Sequence, residues 1–232
     1  MKPCDTFQGT PWGTEPTEDW SQPSYWTDHY RELLAEQDPL DRDLLTRPQV
    51  YVLVWMLLEA GELPRSSPQT LIDAGCGITI IPHLLAFWGF HVTAIDYSPQ
   101  AIEWAAALQP APHALATYPI PFFSPQQERF PAPGGSVSYR VGDWLTADLP
   151  PSGVVICRNG LRGATKPNWR RSLRRFYDLL VPGGVLLLET QNAIGIQGEV
   201  EELLDESGFT PLLPGVRRDP SVKYRMDVWP TG

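Results

Sequence analysis

The chain has 232 residues, 42% hydrophobic and 19% charged, with 18 Lys and Arg against 27 Asp and Glu. That balance excludes a disordered tail and a collagen-like fibre, because enough apolar surface is present to bury a core. With three lysines and a formal net charge of −9, the chain lacks the broad positive field that phosphate backbones demand, which argues against a nucleic-acid partner.

The acidity is local: residues 1–45 hold 10 acids and 3 bases, whereas the other 187 residues hold 17 acids and 15 bases. The 25 prolines are about twice the usual share, and 9 tryptophans are present. Cys4, Cys76 and Cys157 are odd in number and far apart, so no disulfide framework or Cys-x-x-Cys metal site is expected. Met1–Thr10 lacks a basic end followed by an apolar stretch, and the longest apolar run, Val50–Leu58, is far short of the ~20 residues of a membrane span. A reducing, cytoplasmic setting is expected.

Residues 1–24 are rich in Pro, Thr, Gly and acids and show no period, which suits an irregular arm. Tyr25–Gln37 places Trp26, Tyr30, Leu33 and Leu34 near one face at helical spacing. Val50–Ala60 is apolar almost all round and ends before Gly61, as a buried helix closed by a glycine would. From Thr70 the pattern changes to short apolar runs alternating with helical segments, the signature of a parallel sheet with crossover helices. Strands are expected at Thr70–Asp73, His91–Asp96, Ser136–Val141, Val154–Cys157 and Gly184–Glu189, with two late ones near Pro211–Pro214 and Lys223–Trp229. Helices are expected at Ile80–Trp88, Pro99–Leu108, Asn168–Leu180 and Glu199–Ser207. Residues 109–135 break this rhythm with seven prolines and four aromatics, Tyr118, Phe122, Phe123 and Phe130, and form a proline-rich insertion.

Three motifs carry chemistry. In Leu71-Ile-Asp-Ala-Gly-Cys-Gly77 a glycine-rich turn follows an apolar strand directly, so Gly75 and Gly77 let backbone approach a ligand at the carboxyl edge of the sheet. A dinucleotide turn would want a third glycine where Ile80 stands, and Asp73 would repel a phosphate but suits a cationic group. Asp96, 19 residues beyond Gly77, ends the second strand, where a carboxylate accepts hydrogen bonds from ribose hydroxyls. Gly142-Asp143-Trp144 follows the third strand and offers a short acid for an exocyclic adenine amine and an aromatic face for stacking.

This order resembles that of class I S-adenosylmethionine-dependent methyltransferases. The resemblance rests on LIDAGCG (71–77), HVTAIDYSPQAIEWA (91–105), GDWL (142–145) and LVPGGVLLLE (180–189), and covers roughly residues 70–230. It implies an α/β fold with a doubly wound, mostly parallel seven-stranded Rossmann-like sheet under an N-terminal helical lid. Residues 1–69 would form the arm and lid, and 70–232 the cofactor-binding domain with its insertion at 109–135. It also implies S-adenosyl-L-methionine as cofactor, with Asp73, Gly75 and Gly77 at the methionine end, Asp96 at the ribose, and Tyr97, Asp143 and Trp144 at the adenine. YWTDHY (25–30) is similar to a Trp-x-x-x-Tyr segment of small-molecule members of the thiopurine and tellurite type, which casts Trp26 and Tyr30 as aromatics closing over the cofactor. Ile156-Cys-Arg-Asn-Gly160 resembles stretches that face the methyl acceptor in thiopurine-type and chemotaxis-receptor enzymes, so Arg158 and Asn159 become the candidate catalytic groups, Arg158 also touching the cofactor. The Asn-Pro-Pro-Tyr motif of amino-group methylation is absent.

Each signal has a plain structural reading as well. Asp96 could cap the helix that begins near Pro99, Asp143 could be a surface acid, and Trp144, Trp26 and Tyr30 could be core aromatics. Cys76 and Cys157 read as packed small hydrophobes. Arg170, Arg171, Arg174 and Arg175 lie beside the apolar stripe of the Asn168–Leu180 helix and read as a solvated face, with docking of an acidic partner or of the acidic arm as the sharper alternative. His29, His113, Arg158 and Asn159 are the polar groups available near the acceptor, but no spacing identifies a general base or a metal site. The expected activity is methyl transfer to a small, partly apolar or aromatic acceptor. The alternatives are a non-catalytic binder of S-adenosylmethionine or S-adenosylhomocysteine with a regulatory role, and a protein carboxyl methyltransferase.

Overall fold

The computed structural model describes residues 23–36, 69–79, 81–87, 89–107, 134–158, 160–161, 164–189, 197–212 and 223–228. Within these, seven strands form one sheet: β1 (Thr70–Ala74), β2 (His91–Asp96), β3 (Ser136–Val141), β4 (Ser152–Arg158), β5 (Leu180–Glu189), β6 (Thr210–Pro211) and β7 (Tyr224–Val228). Five helices are described: α1 (Pro23–Glu36), α2 (Ile81–Phe87), α3 (Pro99–Ala107), α4 (Lys166–Leu179) and α5 (Gln197–Glu206).

The strand order is β3-β2-β1-β4-β5-β7-β6, and every pairing is parallel. The chain therefore starts at the middle of the sheet, winds outward to β3, then returns to add β4 and the rest on the other side. That reversal falls between β1 and β4, and the carboxyl ends of these strands form the crevice in which doubly wound sheets hold ligands.

Both sheet faces are apolar, as a parallel sheet covered on two sides requires. Side chains alternate between faces, so Ile72 and Ala74 of β1, Val155 and Cys157 of β4, and Leu186 and Leu188 of β5 point one way, onto Trp169, Leu173 and Phe176 of α4 and Val200, Leu203 and Leu204 of α5. α4 owes this to its pattern: the residues it buries recur at three- and four-residue spacing, and its arginines occupy the remaining positions. Burying side chains the size of Leu173 or Phe176 contributes roughly 1.5–3 kcal/mol each. On the opposite face Ala94, Val137 and Tyr139 pack with Cys76 and Ile102, under α2 and α3.

The expected elements that fall within the described residues are present, several with shifted bounds. β5 begins at Leu180 rather than Gly184, because α4 passes into it with Leu180 already extended at φ −77°, ψ 135°. The late strand expected near Pro211–Pro214 is seen as Thr210–Pro211, residues 213 and 214 lying outside the described residues. The Val50–Ala60 helix, and residues 108–133 of the proline-rich insertion, lie outside the described residues. At the insertion's end, Gly135 is required by space: a β-carbon there would lie 2.3 Å from the Ala86 carbonyl oxygen and 2.4 Å from that of Phe90. Among the described residues no helix is long and apolar enough to cross a membrane.

Candidate functional site

The glycine turn after β1 takes the conformation its sequence suggests. Gly75 and Gly77 adopt φ +72° and +62°, in the left-handed region that other residues enter only at a cost. Gly75 N and Cys76 N both donate to Ile95 O, at 2.9 and 3.2 Å, tying the turn to the end of β2. A β-carbon on Gly75 would lie 3.0 Å from Gly160 Cα, so the turns after β1 and β4 meet backbone to backbone. Gly160 is crowded from its own side, where a β-carbon would lie 3.0 Å from Ala74 O and 3.1 Å from Cys157 Sγ; the Ile156–Gly160 stretch stands out in the sequence for its Arg and Asn, not for this contact.

Asp96 closes the turn from the β2 side. Its Oδ2 accepts from Gly77 N at 2.9 Å and its Oδ1 from Ser98 N at 2.9 Å. The α3 cap is instead Ser98, whose Oγ accepts from Ala101 N at 3.3 Å. Asp96 is thus free of the capping duty that was its plain reading, and each carboxylate oxygen retains lone pairs for further donors. Burial raises its pKa above 3.8, opposed by backbone donors including Ser98 and Gly77.

Asp73 is buried, and the strand registers set its neighbours: Asp73 pairs with Ala94 and Ile156, and Arg158 pairs with Glu189. Residues two apart share a face, so Asp73, Arg158 and Glu189 lie on the same side of the sheet near its carboxyl edge. Both Asp73 and Arg158 act electrostatically on the Cys76 thiol, one raising and one lowering its pKa. Glu189 is 8% exposed and was not among the residues singled out, although an acid closing the apolar run VLLLE was a visible signal. Burial pushes the Cys157 thiol up to about 12, helped by Asp73, and holds Cys76 well above the ordinary thiol range. Both therefore remain thiols near neutral pH, which removes them as nucleophiles.

The third acid sits in a turn, residues 142–148, whose first amide, Gly142 N, donates to Asp96 O at 2.9 Å. Asp143 Oδ1 accepts from Leu145 N at 2.8 Å, while Asp143 O accepts from Thr146 N and Ala147 N. Burial, then the neighbouring Asp143 carboxylate, raise the pKa of the Tyr97 phenol. Trp144 is 5% exposed, with its ring between Tyr97 and Phe176 at centroid distances of 5.6 and 6.1 Å and its Nε1 donating to Ser172 Oγ at 3.2 Å. The Trp144 ring is thus a core aromatic that underlies the turn, its edge 3.5 Å from where a β-carbon on Gly75 would be.

Above the turn stands α1, packed against α3. A β-carbon at Gly77 would come within 2.7 Å of Tyr30 Oη, so this hydroxyl lies against the turn. Trp26 is 6.0 Å from Tyr30, and His29 is 5.6 Å from each, with Tyr25 parallel to His29 at 6.0 Å. The structure thereby brings together Tyr30, Gly75, Gly77, Asp96, Tyr97, Asp143 and Trp144, with Asp73 and Arg158 on the strands beneath. Asn159 and His113 lie outside the described residues.

A glycine cradle with one acid at the strand before it, one at the next strand end and one in the following loop lies at the switch-point crevice where doubly wound α/β sheets hold nucleosides. A model of the family described as "Methyltransferase domain" matches residues 49–212. The chain belongs to that family. The residues present fit S-adenosylmethionine: Asp73, Asp96 and Asp143 offer carboxylate acceptors around the turn, and Gly75 and Gly77 put no β-carbon into the cradle. Among its relatives are 2-methyl-6-phytyl-1,4-hydroquinone methyltransferase of Synechocystis sp., 24% identical over 178 residues covering 76% of this chain, and malonyl-[acyl-carrier protein] O-methyltransferase of Serratia marcescens, 27% identical over 137 residues covering 59%. The chain spans 48% and 42% of the length of these two relatives. Similar solved structures include magnesium protoporphyrin IX methyltransferase from Synechocystis, with 14% identity, a TM-score of 0.49, and coverage of 81% of this chain and 87% of that one. Another is a TehB-like SAM-dependent methyltransferase from Corynebacterium glutamicum, with 16% identity, a TM-score of 0.46, and coverage of 81% and 83%.

Proposed function

We propose that this protein transfers the methyl group of S-adenosylmethionine to a small acceptor with an apolar or aromatic part. The observation that carries the reading is the aromatic helix over the glycine turn: Tyr25, Trp26, His29 and Tyr30 form one connected group of rings on α1, and the Tyr30 hydroxyl lies against Gly77. Rings at this position favour a flat or apolar partner over a charged polymer.

In this reading Asp73 faces the cofactor's ammonium, Asp96 its ribose hydroxyls, and Asp143 its adenine amine, while Arg158 offsets the charge of Asp73 and fixes the carboxylate end. Trp26 and Tyr30 cover the turn and exclude water. The cofactor supplies an electrophilic methyl group on a sulfonium, so the protein's chief task is to hold the acceptor in line. Arg158, at the end of β4, and Asn159, next in the sequence, are the groups proposed to orient that acceptor.

The relatives' names widen the acceptor list to a hydroquinone, for one, and an acyl-carrier-bound malonyl group, for the other. Of the two, the aromatic acceptor agrees better with the rings of α1. Methyl transfer to a panel of phenols and hydroquinones, thiols, aromatic amines and carboxylates tests the reading. Turnover of one or more aromatic members is expected; activity confined to nucleic acid or protein would overturn it.

A further inference from the structure

α4 carries four arginines beside its buried stripe, and the sequence alone makes them a solvated face. Two of them are otherwise engaged. Arg170 pairs with Glu206 across to α5, at 3.0 Å. Arg175 is half-buried and turns toward the Asp143 turn instead: its Nε donates to Trp144 O at 3.2 Å and its Nη2 to Ala147 O at 2.8 Å. One turn earlier on the same helix, Ser172 accepts from Trp144 Nε1 at 3.2 Å.

The turn needs such support. Its first amide is tied to Asp96 O, and the Asp143 carbonyl and carboxylate take the amides of Leu145, Thr146 and Ala147. That is one turn of helix with an acid capping its amino end. Its carbonyl end has no continuing helix to supply donors, and there a fixed cation is favourable both as donor and against the local dipole. The planar guanidinium, with donors on two nitrogens, bridges two carbonyls three residues apart, which an ammonium could not do with the same rigidity.

We propose that Arg175, seconded by Ser172, is a positioning residue for adenine recognition: from outside the site it holds the 142–148 turn so that Asp143 stays aimed at the cofactor's exocyclic amine. Arg175 touches neither cofactor nor acceptor; it acts through the backbone of Trp144 and Ala147. The inference rests on the assignment of Asp143 to the adenine.

The test is calorimetric titration of the full chain with two probes that differ only at the purine 6-position, S-adenosylhomocysteine and S-inosylhomocysteine. The wild type is expected to prefer the adenosyl compound by about tenfold, the worth of one hydrogen bond to a charged acceptor. Arg175→Gln is expected to shrink that preference to about twofold, with Arg175→Lys between the two. A variant that merely loosened the protein would weaken both probes equally and leave the ratio intact, and that outcome overturns the proposal. Should Arg175→Gln fail to fold, as judged by circular dichroism, Arg175→Lys and Ser172→Ala carry the same comparison. Asp143→Ala separates the two levels: a collapsed ratio there with an intact ratio in the Arg175 variants refutes the clamp alone, whereas an intact ratio in Asp143→Ala refutes the adenine assignment and the clamp with it.

Discussion

The two acid-bearing ends of the site are held by different means. Asp96 is fixed by backbone: both carboxylate oxygens receive amides, one from the glycine turn and one from two residues along its own chain. Asp143 lies in a turn whose carbonyl end is held by one side chain of α4, Arg175, which lies 31 and 28 residues beyond the Trp144 and Ala147 carbonyls it bridges. The first arrangement is set by the local chain and by pairing of β1 with β2. The second depends on α4 docking correctly across the sheet. The Asp96 end, proposed for the ribose, should therefore be the rigid part of the site, and the Asp143 end, proposed for the adenine, the part that distant substitutions can loosen.

Gly77→Ala strikes the rigid end hardest. The new methyl would meet Tyr30 Oη at 2.7 Å and hold an L-residue at φ +62°, for an expected loss of about 2–4 kcal/mol in stability and at least about thirtyfold in S-adenosylhomocysteine affinity. Adding Tyr30→Ala removes the clash but not the strain. Thermal melts of the single and double variants should show partial recovery; no recovery would contradict the placement of α1 over the turn.

Asp96→Asn turns one amide group toward a donor, Gly77 N or Ser98 N, and is expected to cost about 1–3 kcal/mol. It also changes the response to pH. Because burial raises the Asp96 pKa, the folded state holds its proton at a pH where the unfolded chain has already released it. Stability from this group is therefore greatest at acid pH and falls as pH rises from 3.8 to the raised value. Urea melts across that interval should show a drop in the wild type that is flattened in Asp96→Asn.

Ser172→Ala loosens the other end by removing the acceptor of Trp144 Nε1, for an expected loss of about 1 kcal/mol in stability and a small loss in binding. Lys166→Ala breaks an ion pair with Glu199 at 2.7 Å whose side chains are 40% and 46% exposed, and should cost no more than about 0.5 kcal/mol. Chemical denaturation of these two variants calibrates the larger effects. If Lys166→Ala proved as costly as Ser172→Ala, the claim that α4 matters through its contacts to the turn would lose its footing.

The same contrast explains what the sequence disclosed. β1, its turn and Asp96 lie within 27 residues, and each carries its own mark: an apolar strand, glycines at positive φ, an acid at a strand end. Short apolar runs likewise located the inner strands, because a parallel sheet buried on both faces leaves continuous apolar runs. Arg175 carried no such mark. An arginine on a helix reads as solvated, and only the fold reveals that its partners are two backbone carbonyls, which have no sequence identity at all. Gly160 and Gly135 were illegible for a related reason, since what demands a glycine there is backbone from other elements. Trp144 was half legible: its position after Asp143 was apparent, but the packing that turns its ring into core comes from Phe176 and Ser172 on α4.

The most direct measurement of the central claim, that the turn and its acids hold the cofactor, is calorimetric titration of S-adenosylmethionine into the wild type and Asp96→Ala, with the fold of each checked by circular dichroism. Single-site binding in the wild type, weakened about tenfold or more in the folded variant, is the predicted result. Undiminished affinity in Asp96→Ala would contradict it.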